Sequence, residues 1–209
     1  MKVLLVNGSP HEKGCTYTAL NEIAATLAEN GIESEIFQIG TRPLSSCIGC
    51  GRCSERGRCI IDDVVNRFLD KAAECDGFIF GAPVHFSSAN GAMISFMDRA
   101  FCAGKQVLPF KPAAAIVSCR RGGASATFDQ MNKYFLIKHM PVVPSQYWNQ
   151  VHGNTPEEVR RDIEGMQTMR SLGRNMAWML KCIELGKNSG IPHPEHEKQI
   201  KTNFIRNEQ

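Results

Sequence analysis

The chain has 209 residues, 43% hydrophobic and 22% charged, with a formal net charge of +3. That composition belongs to a folded chain rather than a disordered one, and the charge is too small and too scattered for a nucleic-acid surface. No apolar run approaches the ~18 residues of a spanning helix, and Val3–Val6 is too short for a signal-peptide core, so the expectation is a cytoplasmic protein, away from membranes, with reduced cysteines.

The chain opens on KVLLVN, an apolar run read as a buried strand, followed by the turn GSPHEKGCT. Leu20, Ile23, Ala24 and Leu27 then recur at helical spacing, and Asn30-Gly31 supplies a stop. IESEIFQI alternates as a second strand, and a cysteine-rich insertion occupies about residues 45–61. Asp62-Asp63 stands as a cap before VVNRFLDKAA, where Val64, Val65, Phe68, Leu69 and Ala72 share one helical face. GFIFGAP reads as a strand, NGAMISFMDRAF as a helix, AAAIVSC as a strand, ATFDQMNKYFLIKHM as a helix and PVVPSQYW as a short final strand. One long helix is expected from about Pro156 to Gly186, with its methionine stripe in the core, then an extended tail from about residue 188. Cys75, Cys102 and Cys182 fall on or near apolar helix faces and are expected to be buried. Five strands alternating with helices predict an α/β fold, a doubly wound five-stranded parallel sheet with helices on both faces. It is read as a single domain over residues 1–209. Its ligand belongs beyond the carboxyl ends of the strands, where strand order reverses.

Three loops fall at that edge. In NGSPHEKGCTYT, Gly8 and Gly14 permit close backbone approach, while Ser9, Thr16 and Thr18 bring hydroxyls to a helix start, a site for phosphate. It is neither a Walker loop nor a G-x-G-x-x-G turn, and its plain alternative is a capped turn. GAPVHFSSANGAM offers Pro83, Val84, His85 and Phe86, apolar and aromatic groups suited to a flat heteroaromatic ring. His85 is either an acid–base group or a packing residue. SCRRGGASA brings Gly122-Gly123 and two arginines, one of which would stabilise negative charge on a reduced ring.

Cys47, Cys50, Cys53 and Cys59 are spaced C-x2-C-x2-C-x5-C. Disulfides fit poorly, because C-x2-C bridges close small strained loops. Three readings stay open: an iron-sulfur cubane, zinc, or a loop of free thiols. Gly49, Gly51 and Gly57 would let the backbone wrap a cluster, and Arg52, Arg56 and Arg58 would offset its negative charge.

Together GSP…GCT, GAPVHFSSANGAMISFMDR and CIGCGRCSERGRCIIDD resemble the flavodoxin-like superfamily, specifically its NAD(P)H-dependent FMN reductases and iron-sulfur flavoproteins. The resemblance covers nearly the whole chain. It implies FMN, with its phosphate held by Ser9, Gly14, Cys15, Thr16 and Thr18. Pro83, Val84, His85, Phe86 and Ser87 would line the isoalloxazine, and Arg121, Gly122 and Gly123 would close another side. Cys15 stands where asparagine is frequent, His11 where arginine is, and His85 replaces a tyrosine. The flavin carries the chemistry, so no catalytic side chain is obligatory, and His85 is the one candidate. The implied activity passes electrons from NAD(P)H to a small-molecule acceptor: a quinone, a nitro or azo compound, or flavin. The alternative is an electron carrier served by ferredoxin through a [4Fe-4S] cluster on Cys47, Cys50, Cys53 and Cys59. Homodimers or homotetramers are implied as well.

Overall fold

The computed structural model describes residues 1–195, 197 and 200. In chain order the elements are β1 (Lys2–Asn7), α1 (Cys15–Glu29), β2 (Glu33–Gln38), α2 (Cys53–Arg56), α3 (Val64–Ala73), β3 (Gly77–His85) and β4 (Ser88–Ala89). They continue with α4 (Gly91–Ala103), β5 (Ala113–Cys119), α5 (Ala124–Leu136), β6 (Gln150–His152), α6 (Pro156–Arg161) and α7 (Ile163–Asn188). The parallel strands run in the order β2-β1-β3-β5-β6. This is the doubly wound order of flavodoxin-like folds, and its reversal falls between β1 and β3. A sixth strand, not expected from the sequence, is the two-residue β4, which pairs antiparallel with the end of β3.

Strand alternation feeds two cores, one on each face. Leu4 and Val6 of β1, with Phe78 and Phe80 of β3, pack under α3, α4 and α5 around Phe68, Phe96 and Phe135. Val3 and Leu5, with Ile79 and Ile116, pack under α1 and α7 around Ile23, Leu172 and Met176. The methionine stripe of α7 is therefore core, as its spacing predicts. Among the described residues no helix is long and apolar enough to cross a membrane.

Two expected elements differ. The strand expected over PVVPSQYW gives only one bridge, Val142 to Ala113, and the last strand is Gln150–His152. Pro141 and Pro144 have no N–H for a ladder, and Asn149 Nδ2 instead donates to Ala115 O at 3.0 Å. The long final helix is broken at Asp162, whose ψ of 82° leaves the helical region. Its carboxylate accepts Gly165 N–H at 2.9 Å, capping α7, and His152 N–H at 2.7 Å. α7 then continues to Asn188. Part of the expected tail lies outside the described residues.

β2 is tied down by charge. Lys71 Nζ at 2.5 Å and Lys2 Nζ at 2.9 Å donate to Glu35 and hold its carboxyl below the usual range. A depressed carboxyl adds stability above its unfolded pKa, about 4.3, and loses it as pH falls through the folded value. With all three groups partly exposed, the contribution stays under about 1 kcal/mol. Glu35→Gln is expected to sit slightly below wild type in urea stability at neutral pH, with the gap closing as pH falls through the folded value. A gap of constant size across that range would refute the linkage.

Candidate functional site

β1, β3 and β5 end at one edge of the sheet. The loop after β1 is braced by its neighbours: Gly8 N–H donates to Gly81 O at 2.8 Å, and Asn90 Nδ2 donates to Gly8 O at 2.8 Å. A Cβ on Gly8 would stand 3.0 Å from that Gly81 oxygen. Ser9 N–H donates to Asn7 Oδ1 at 3.1 Å, His11 N–H to Ser9 Oγ at 3.1 Å, and Gln38 Nε2 to Ser9 O at 2.7 Å. The loop enters α1 at Gly14 without a side-chain cap among the described residues. The N–H groups of Cys15, Thr16 and Tyr17 therefore remain as donors at the positive end of a 15-residue helix.

The side chains expected to join them divide. Thr18 Oγ1 donates its single proton to Gly14 O at 3.1 Å, and Thr16 Oγ1 pairs with Ser118 Oγ at 2.8 Å. Cys15 points its thiol at Gly153 O, 3.6 Å away, and burial pushes that thiol up. Ser9 accepts from His11 and keeps its own proton to give.

β3 runs through Pro83 and Val84 to His85, then turns back at Phe86-Ser87 into β4. Both turn residues take positive φ, 52° and 60°. A two-residue hairpin with two left-handed positions normally uses Asn-Gly, and a larger side chain there costs about 1–2 kcal/mol. Gln130 Oε1 holds the hairpin, accepting from Ser88 Oγ at 2.8 Å and Ala89 N–H at 3.3 Å. Gly123, at φ 88°, closes on it from the loop after β5: a Cβ there would stand 2.6 Å from Ser87 Cα. Pro83 and Val84 are half-buried, while His85, Phe86, Ser87, Arg121 and Gly122 are exposed.

An uncapped helix start and a glycine-tight apolar lip fit the two ends of FMN, an anion and a flat ring. Gly123→Ala is expected to force the lip open. The obstacle is backbone and the φ is positive, so stability falls by about 1–3 kcal/mol. FMN affinity, read by fluorescence quenching, falls roughly tenfold or more. Unchanged affinity would show that this contact does not shape the ring site.

The four motif cysteines also come together. Cys47, Cys50, Cys53 and Cys59 line one cavity of about 260 Å³ between the β2–α3 segment and the far end of α4. They surround a space rather than a point: among the described residues no three His, Cys, Asp or Glu side chains are grouped to hold one metal ion. All four are free thiols, with Cys47 and Cys50 exposed and Cys53 and Cys59 half-buried.

Sequence reasoning missed three features of this cavity. Cys102 is exposed and lines it, and partial burial and the neighbouring Cys47 push its thiol up. Cys182 is exposed too, whereas Cys75 is buried as expected. The cationic lining is Arg99, Lys105 and Lys138 rather than Arg52, Arg56 and Arg58, and Arg58 pairs with Asp70 instead. Arg99, 1% exposed, donates to Cys59 Sγ and to Asp63. Its only sequence signal is its place in SFMDR.

The family model described as NADPH-dependent FMN reductase matches residues 1–155. An iron-sulfur flavoprotein of Methanocaldococcus jannaschii is 35% identical over 192 residues, 88% of this chain and 100% of that protein. A flavodoxin from the domain Archaea aligns with a TM-score of 0.58 at 15% identity, covering 87% of this chain and 99% of its own. The flavoenzyme NAD(P)H:(acceptor) oxidoreductase of Paracoccus denitrificans aligns with a TM-score of 0.63 at 17% identity, covering 87% and 97%. The last two likenesses are of fold. The matched residues run from the start of β1 past the end of β6 and so take in the entire sheet, and the chain belongs to the NADPH-dependent FMN reductase family.

Proposed function

We propose that this flavoprotein is an oxidoreductase with two electron-handling centres, FMN at the carboxyl edge of the sheet and a [4Fe-4S] cluster in the cysteine cavity. The observation that carries this reading is the convergence of four cysteines on one cavity with a cationic lining. Four thiolates around an iron-sulfide core are anionic, and Arg99, Lys105 and Lys138 offset that charge. The name of the Methanocaldococcus jannaschii relative supports it.

FMN, when bound, supplies hydride acceptance and transfer of one or two electrons; a cluster would supply single-electron transfer. The chain's own residues bind and orient. Backbone N–H groups of Cys15, Thr16 and Tyr17, with the Ser9 hydroxyl, hold the phosphate, and Gly14 lets the helix start approach it. Thr18 fixes that start through Gly14 O, and Thr16, paired with Ser118, would offer its hydroxyl proton to the phosphate when Ser118 is the donor of that pair. Pro83, Val84, His85, Phe86 and Ser87 line the ring, with Gly122 and Gly123 opposite. Arg121 offers positive charge to a reduced ring. The exposed Trp178 on α7 suits a homodimer or homotetramer.

Two classes of outside partner fit these centres. The matched family's description favours a reduced nicotinamide, NADPH, as donor; a quinone, a nitro or azo compound, or flavin would then be the acceptor. The exposure of Cys47 and Cys50 favours exchange with a small carrier such as ferredoxin. Protein purified without oxygen is expected to contain FMN and about four irons and four sulfides per chain. Zinc alone, or no metal, would reject the cluster, and absence of flavin quenching when FMN is added to the flavin-free protein would reject the FMN centre. Rapid NAD(P)H oxidation with a quinone selects the enzyme reading; inertness to nicotinamide with fast reduction by ferredoxin selects the carrier.

A further inference from the structure

Among the described residues Arg99 is the largest fully buried side chain, and all of its donors are spent. Nη1 donates to Asp63 Oδ2 at 2.7 Å and to Ser45 O at 3.3 Å. Nη2 donates to Asp63 Oδ1 at 2.9 Å and to Ile61 O at 2.8 Å. Nε donates to Cys59 Sγ at 3.3 Å. Ser45 and Ile61 are the two ends of the cysteine segment, so one guanidinium closes it as a loop. Asp63, the third partner, also caps α3 through Val65 N–H at 3.0 Å, which fixes the clamp to a helix.

We propose that Arg99 is the positioning residue of the cysteine site. It holds segment 45–61 closed independently of any metal, and its Nε–H singles out Cys59 among the four motif sulfurs as the one facing a buried cation. The second half of this proposal rests on the cluster reading above. A charged donor on a ligating sulfur withdraws electron density and favours the more negative, reduced state, so the reduction potential rises. Lysine cannot substitute, because a point-like ammonium has no planar fork to bind Asp63 in two places while still reaching Cys59. The plainer alternative makes Arg99 only the counter-ion of Asp63. Under it, changing Arg99 would alter stability and leave the potential where it was.

The test uses wild type and Arg99→Lys purified without oxygen, assayed first for iron and sulfide, then titrated with EPR detection. Iron in both with a lower midpoint in the variant supports the proposal; iron in both with equal midpoints overturns it. Should Arg99→Lys fail to fold, pulsed EPR on reduced wild type carrying isotope-labelled arginine replaces it. Hyperfine coupling to an arginine nitrogen supports the Nε–H···Sγ contact, and its absence overturns it. Wild type without iron or sulfide would sink the cluster reading instead. The clamp is then read on metal-free protein by hydrogen exchange. Exchange over residues 45–61 that is roughly tenfold or more faster in Arg99→Lys, with the sheet unchanged, supports it; equal exchange overturns it.

Discussion

Replacing Asp63 by alanine is expected to cost about 3–5 kcal/mol, against the roughly 5–15 kcal/mol that holds a domain together. The carboxylate neutralises the buried guanidinium of Arg99 through two hydrogen bonds and caps α3 through a third. Without it, a cation 1% exposed is left facing two carbonyls and a sulfur. That uncompensated charge is the larger effect, since loss of the cap alone costs about 1 kcal/mol. Asp63→Asn keeps a cap oxygen and is expected to fall between the two. Combining Asp63→Ala with Arg99→Met should recover most of the loss, because an apolar chain of similar length needs no partner. Urea midpoints at constant m-value read all four proteins. A loss below about 1 kcal/mol in Asp63→Ala would mean that water reaches Arg99.

Iron content is expected to collapse in Cys59→Ala and to persist in Cys102→Ala. Both thiols line the cavity, but their backbones differ. Cys59 belongs to a loop turned by Gly49, Gly51 and Gly57, all at positive φ, which can settle around a cluster. Cys102 is fixed near the end of α4, and a cubane whose four irons already have four thiolates leaves it no role as ligand. The assay is iron and acid-labile sulfide per chain after anaerobic purification. Retained iron in Cys59→Ala would sink the assignment and point to Cys102 as its replacement.

The sequence reads well where local chemistry decides the structure. Asp63 before a one-faced apolar pattern gives α3 at the expected Val64–Ala73, and short continuous apolar runs give β1, β3 and β5. It reads poorly where partners come from far along the chain. Pro83 looks like the end of a strand, yet β3 continues to His85 because β4 folds back on it and Gln130 of α5 anchors the turn. The break at Asp162 is hidden by apolar periodicity that runs through it, although Thr155-Pro156 and Asp162 are both start signals. Arg99 and Cys102 lie on a helix whose spacing marks the core. Only a segment some 36 to 54 residues earlier turns the end of that helix into the wall of a cysteine cavity. The glycines and hydroxyls after β1 mark a candidate phosphate loop, but nothing local in them announces the pairing of Thr16 with Ser118, 102 residues away.

The sheet is finished differently at its two rims. β2 carries Glu33, Ser34, Glu35 and Gln38, with Glu35 held by two lysines, and β6 is three residues long behind Pro141 and Pro144. Neither rim is a long, flat, apolar edge on which another chain could add a strand. Among the described residues the sheet therefore offers a poor template for strand-by-strand aggregation in concentrated solution.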